Sequence, residues 1–116
     1  MQSIGVASRD AFPDNSFSAL SSSSGNEASK GRLNGHGAWS PSPDSNYNDY
    51  LQIDLHYEFV ICAVATQGNP TADEWTKEYK LYLSLNGMKW VIYQENNVDK
   101  VCLILQQQSI ETPSIV

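Results

Sequence analysis

The chain has 116 residues, 41% of them hydrophobic and only 17% charged, with three Trp, six Tyr and three Phe. That is enough apolar material for one core and one domain, and too little charge for the exposed faces of a helical bundle. A formal net charge of −6 argues against nucleic acid, whose phosphates need clustered Lys and Arg, and against adsorption to anionic lipid.

No apolar run approaches the roughly 20 residues that cross a bilayer. The N-terminus, MQSIGVASRD, has neither a basic n-region nor an apolar h-region, so no signal peptide is visible. Phe12-Pro13-Asp14-Asn15 reads as a turn. Phe17, Ala19 and Leu20 suggest a short strand running into a polar loop that carries the Ser21–Ser24 run and Gly25. Residues 31–49 are too punctuated by Gly, Pro and Asn for helix. In Tyr50–Leu55, Leu51, Ile53 and Leu55 share one face and Gln52 and Asp54 the other, the pattern of a half-buried strand. Residues 58–66 are more continuously apolar and fit a central strand. Residues 68–76 form a polar loop, and Tyr79–Ser84 a third strand. Asn86-Gly87 is a hairpin signal, with Lys89–Tyr93 as the returning partner. Val101–Leu105 is one more candidate strand, and the tail QQQSIETPSIV reads as an irregular end. Short strands at spacings of about ten residues, with no amphipathic helix, predict an all-β antiparallel sandwich or jelly roll.

Chemistry-bearing patterns are sparse. Cys62 and Cys102 show no metal spacing and no CxxC. Cys62, inside Phe59–Ala65, reads as a small buried hydrophobe, with a Cys62–Cys102 disulfide as the alternative. There is no G-x-S-x-G elbow, no HExxH and no Gly-rich phosphate loop. Asp73 and Glu74 are adjacent, so on an extended segment their carboxylates diverge. The chain is therefore expected not to be an enzyme. Asp44, Asn46, Asn48 and Asp49 offer hard oxygens but lack the x5-E completion of a calcium loop. No cofactor is expected, and Ca2+ is the one candidate ion. Arg32 and Asp54 flank apolar residues and read as a structural ion pair or loop tether. Trp39 and Trp90 read as core or rim packing, and His56 as a surface residue.

Several segments together resemble the discoidin, or coagulation factor V/VIII type C, domain family. Ile4-Gly5-Val6 and Pro13-Asp14-Asn15-Ser16-Phe17-Ser18-Ala19 resemble its opening pattern. Arg32-Leu33-Asn34 resembles its ARLN. Gly37-Ala38-Trp39-Ser40-Pro41 resembles GAWCP, with Ser40 where some members have Cys. Tyr50–Leu55 resembles WLQVDL. Thr66-Gln67-Gly68, Asp73-Glu74-Trp75, Tyr79-Lys80 and Asn86-Gly87-Met88-Lys89-Trp90 follow in family order. The chain departs from the pattern in lacking the cysteines that close the module, and its final strands are not recognisable beyond Val101, although Thr112-Pro113 returns in register.

The resemblance implies one galactose-binding-domain-like jelly roll over residues 1–116, incomplete at its C-terminal end and hence marginally stable, from an extracellular adhesion or matrix protein. It implies ligands held by rim loops near Leu20–Gly31, His36–Asp49 and Gly68–Lys77. A rigid scaffold presenting polar loops suits recognition. Sugar sites need aromatic faces with amides, carboxylates and imidazole. His36, Asp44, Asn46, Tyr47, Asn69, Asp73, Glu74 and Trp75 supply them, so a glycan or glycoprotein ligand is the first expectation. The alternative is a protein or peptide ligand. Some relatives use an acidic residue after the W-x-P element to hold a basic side chain; Asp44 lies at that place and Ser40 offers a neighbouring hydroxyl. Phospholipid binding is the least favoured, because the loop Ser22–Ala28 carries no apolar tip.

Overall fold

The computed structural model describes residues 5–45, 48–59, 61, 64–95, 98–99, 101–103 and 113–114. Every described strand belongs to an antiparallel pair, and the helical content is two short 3-10 turns, Asp14–Ser16 and Ala28–Gly31. This is the all-β class expected from the period-2 patterning.

The first pair joins β1 (Phe17–Ala19) to β2 (Leu51–Ile53), with Phe17 opposite Ile53 and Ala19 opposite Leu51. The pairing extends past both ends, through Asp54 N–H to Ser16 O at 2.8 Å and Leu20 N–H to Tyr50 O at 3.2 Å. Phe17 turns inward from β1 onto Val6 and Phe12, and Ala28, Ile53 and Leu55 pack against this cluster. Val6 and Phe12 precede the first strand. The chain reaches them through a turn in which Ser8 N–H donates to Gly5 O and Phe12 N–H to Ser8 O. β3 (Ala65–Thr66) pairs with β10 (Pro113–Ser114). The tail therefore contributes a strand instead of the expected irregular end. Proline can sit in such a two-stranded pair because an edge position needs no N–H from it.

The described residues divide into two compact units, one running to Trp75 and including β10, the other beginning at Thr76. In the second unit, β4 (Glu78–Lys80) pairs with β9 (Val101–Leu103) and β5 (Tyr82–Leu83) with β6 (Val91–Ile92). β7 (Gln94–Glu95) pairs with β8 (Val98–Asp99). The strand expected over Tyr79–Ser84 is thus broken at Leu81, a buried residue at 7% exposure, and its two halves take different partners. The hairpin foreseen at Asn86-Gly87 is present, with Leu83 opposite Val91. Its loop, residues 84–90, is closed by side chains. Ser84 Oγ accepts Gly87 N–H at 2.9 Å, and Asn86 Oδ1 accepts the N–H groups of Met88 and Lys89 at 2.9 Å. Gly87 has φ +71°, the left-handed region in which glycine is unstrained.

The central strand expected over 58–66 is reduced among the described residues to Ala65–Thr66, and Tyr57 and Phe59 are exposed. Val60, Cys62 and Ala63 lie outside the described residues, as do Ile104 and Leu105. The burial expected for Cys62 and the alternative Cys62–Cys102 disulfide fall there too. Trp90 is 42% exposed and lies on the surface, since Leu81 is the only buried hydrophobic described in its unit.

Arg32 ties the N-terminal segment to the rest. One Nη donates to Val6 O at 3.1 Å and to Ser8 O at 3.4 Å, and the other donates to Asp14 Oδ1 at 2.9 Å. The guanidinium lies over the Phe17 ring, 4.6 Å from its centroid. Arg32 is a structural tether, as expected, but its carboxylate is Asp14, not Asp54. Asp54 instead accepts the His56 N–H at 2.8 Å. His56 is exposed, as expected, and its Nε2 lies 2.7 Å from Ser16 Oγ while its ring stacks on Phe12.

Candidate ligand-binding rim

The loop after β1 and the loop before β2 are held together by hydrogen bonds running from Ser21 to Asp49. The Asp49 carboxylate accepts the Ser21 N–H at 3.1 Å, the Ser21 hydroxyl, and the Tyr50 N–H at 2.9 Å. Ser21 Oγ in turn accepts the Ser42 N–H at 2.9 Å. The Trp39 indole N–H reaches Ser21 O at 3.0 Å and Ser22 Oγ at 3.2 Å. Backbone bonds complete the union: Ser23 N–H to Ser40 O at 2.8 Å, and Ser40 N–H to Asn26 O at 3.1 Å. Polar loops gain order only when their backbone groups find partners, and here each loop supplies them to the other. Trp39 is half-buried, in keeping with rim packing.

Asp44 stands on a turn. Ser45 N–H donates to Ser42 O at 2.9 Å, with Pro43 and Asp44 between them, and proline's fixed φ suits the first central position. The Asp44 side chain is exposed, and no hydrogen bond or ion pair to it is seen among the described residues. The Ser40 residue is half-buried, its backbone engaged with the opposite loop. His36 is exposed. Asn46 and Tyr47 lie outside the described residues.

The third loop is closed on itself. Asn69 N–H donates to Glu74 O at 2.8 Å, and Asn69 Nδ2 donates to Glu74 Oε2 at 3.0 Å. Asn69 Oδ1 accepts both the N–H and the hydroxyl of Thr71. Asn69 is buried at 9% exposure, so its amide serves the loop. Glu74 braces it, while Asp73 is exposed and Trp75 is 37% exposed. At the base of this loop Gln67, buried at 6% exposure, makes a reciprocal amide contact with Asn34. Its Oε1 accepts Asn34 N–H and its Nε2 donates to Asn34 Oδ1 at 2.8 Å. Asn34 has φ +58°, a conformation asparagine tolerates better than most residues.

The structure therefore joins Ser40 and the Asp44 turn to the first loop, commits Asn69 and Glu74 to the third, and leaves His36, Asp73 and Trp75 at the surface. Asp49, considered above as an oxygen ligand for Ca2+, is engaged by Ser21 and Tyr50. No group of three or more His, Cys, Asp or Glu suited to a metal occurs among the described residues. Two charge shifts mark the unit. The Arg32 hydrogen bond holds the Asp14 carboxyl below its ordinary value. The N–H groups of Glu27 itself and of Gly25 do the same for Glu27. The residues least visible in the sequence are Ser21 and Asp49. Ser21 opens a serine run that reads only as part of a polar loop, and nothing in that run names Asp49 as its partner.

The family model for the F5/8 type C domain matches residues 16–115, and the chain belongs to that family. Its fold is a β-sandwich, and its members are non-catalytic ligand-binding modules of extracellular proteins. Among curated relatives, the chain is similar to neuropilin-2 of Rattus norvegicus and of Homo sapiens, each 39% identical over 75 residues. Neuropilin-2 of Mus musculus is 37% identical over the same length. The match covers 60% of this chain and 8% of each of these relatives.

Proposed function

We propose that this chain is an extracellular recognition domain, in a secreted protein or an ectodomain, that grips a basic side chain of a protein or peptide ligand at Asp44. The observation that carries the reading is the Asp44 carboxylate, exposed on a proline-set turn whose flanking loops are mutually bonded. A carboxylate already placed can form charge-assisted, bidentate bonds with a guanidinium, and little ordering of the loop opposes binding. Ser40 lies earlier in the same loop as a candidate second donor or acceptor. The test is titration calorimetry with an arginine-containing peptide. Asp44→Asn should weaken binding about tenfold or more. Equal affinity in the variant would refute the role of Asp44.

A glycan ligand is the second reading, favoured by Trp75, part-exposed beside the exposed Asp73. Asn69 and Glu74 support it less than the sequence suggests, because they are bonded to each other. A glycan array with and without Ca2+ should give hits that Trp75→Ala abolishes if sugar is the ligand. Sedimentation with phosphatidylserine vesicles tests the lipid alternative.

A further inference from the structure

We infer that Ser21 and Asp49 are positioning residues that fix the Asp44 turn from the far side of the rim, an inference that rests on the reading of Asp44 as the ligand contact. Pro41 and Pro43 have no N–H, so Ser42 carries the only backbone donor in the segment that leads into the turn. That donor is taken by Ser21 Oγ at 2.9 Å. The Ser21 hydroxyl can accept it fully because its own proton is given to the Asp49 carboxylate. Ser42 is also the first residue of the turn, its carbonyl accepting Ser45 N–H. A chain of single bonds thus runs from carboxylate to hydroxyl to amide to the turn that bears Asp44.

The anchor of this relay is itself secured. Asp49 also accepts the Ser21 and Tyr50 N–H groups, and Tyr50 O accepts Leu20 N–H, continuing the β1–β2 pairing. Trp39 pins the Ser21 carbonyl. Serine suits this position because one small hydroxyl serves as donor and acceptor at once. Alanine at 21 removes the link to Ser42 and leaves Asp49 with N–H partners only. The segment from Pro41 to Pro43 is then held to the first loop only through Ser40, whose backbone bonds to Ser23 and Asn26 remain, and the Asp44 carboxylate samples positions that a ligand must re-order at a cost in affinity.

Three variants of the whole chain test this: Ser21→Ala, Asp49→Asn and the hydroxyl-retaining Ser21→Thr. Amide hydrogen exchange is followed at Ser42 and Ser45. The Asp54 amide, bonded to Ser16 O, serves as the control for an intact β1–β2 pair. Ser21→Ala and Asp49→Asn should each speed exchange at Ser42 and Ser45 about tenfold or more while Asp54 stays protected. Affinity for the arginine-containing peptide should fall about tenfold, and Ser21→Thr should retain both properties. Unchanged exchange at Ser42 in Ser21→Ala overturns the relay, as does equal loss of protection at Asp54, which would make these residues general supports. If the wild-type chain ignores the peptide while Ser42 exchange responds as described, the relay stands and the ligand reading of Asp44 falls.

Discussion

The Arg32 guanidinium donates to two carbonyls and one carboxylate while covering an aromatic ring, a set of contacts that requires a planar fork. Lysine can reach one of these acceptors but cannot span them. Arg32→Lys should lower stability by roughly 2 kcal/mol, since the buried Val6 carbonyl loses its donor, and a urea melt followed by tryptophan fluorescence reads the loss. Its partner sets a pH dependence. Because Arg32 holds the Asp14 pKa below its ordinary 3.8, the native state takes up this proton less readily than the unfolded chain. The stabilisation is complete above about 3.8 and disappears as pH falls through the lowered folded value. Glu27 acts in the same direction. Urea midpoints should therefore fall on acidification from about pH 5 to about pH 3, and the fall should be shallower in Asp14→Asn. An unchanged acid limb in that variant would show that Asp14 does not contribute. Arg32 was recognisable in the sequence as a tether, because a charge flanking apolar residues invites an opposite partner. Which carboxylate it meets was not, because nothing local separates Asp14 from Asp54.

Strands were legible where side chains alternate or turn chemistry is strong. Leu51, Ile53 and Leu55 announced β2, and Asn86-Gly87 announced the β5–β6 hairpin. Gly87→Ala should destabilise that hairpin by about 1 kcal/mol. The added methyl meets no atom within 4 Å, so the cost comes from the backbone at φ +71°. The shift of the hairpin amides toward fast exchange is the measurement. The apolar run 58–66 is described only in part: Ala65–Thr66 forms the strand β3 and Phe59 is 45% exposed, while Val60, Cys62 and Ala63 lie outside the described residues. The N-terminal contribution to the core was hidden. Val6 and Phe12 sit in turn-forming sequence with no periodicity. Removing the ring in Phe12→Ala should cost about 3–5 kcal/mol, and thermal unfolding should show it. The rim was half legible: its polar residue types were plain, but the union of its first two loops depends on Ser21 and Asp49, which are far apart in sequence.

At the scale of the whole chain, exposed apolar side chains gather on the unit beginning at Thr76. Leu85 is 86% exposed and Met88 83%, with Tyr82, Val91 and Tyr93 also exposed. Surface of this kind favours association. The isolated chain should therefore unfold at modest temperature and lose solubility as concentration rises. Replacing Leu85 and Met88 by Ser should raise the solubility limit while leaving the melting temperature within a few degrees, because neither side chain is packed. A sharp melt from a monomer that stays soluble at high concentration would contradict this. The acidic balance of −6 opposes association at neutral pH, so turbidity should increase as the carboxylates are neutralised.

Val6 and Phe12 lie upstream of residue 16, where the family match begins. A shortened gene started at that first matched codon would leave Phe17 without two of its neighbours and Arg32 without its acceptors at positions 6, 8 and 14. Anyone trimming this domain for expression should keep the leading segment, since it fills the interior of the module it precedes.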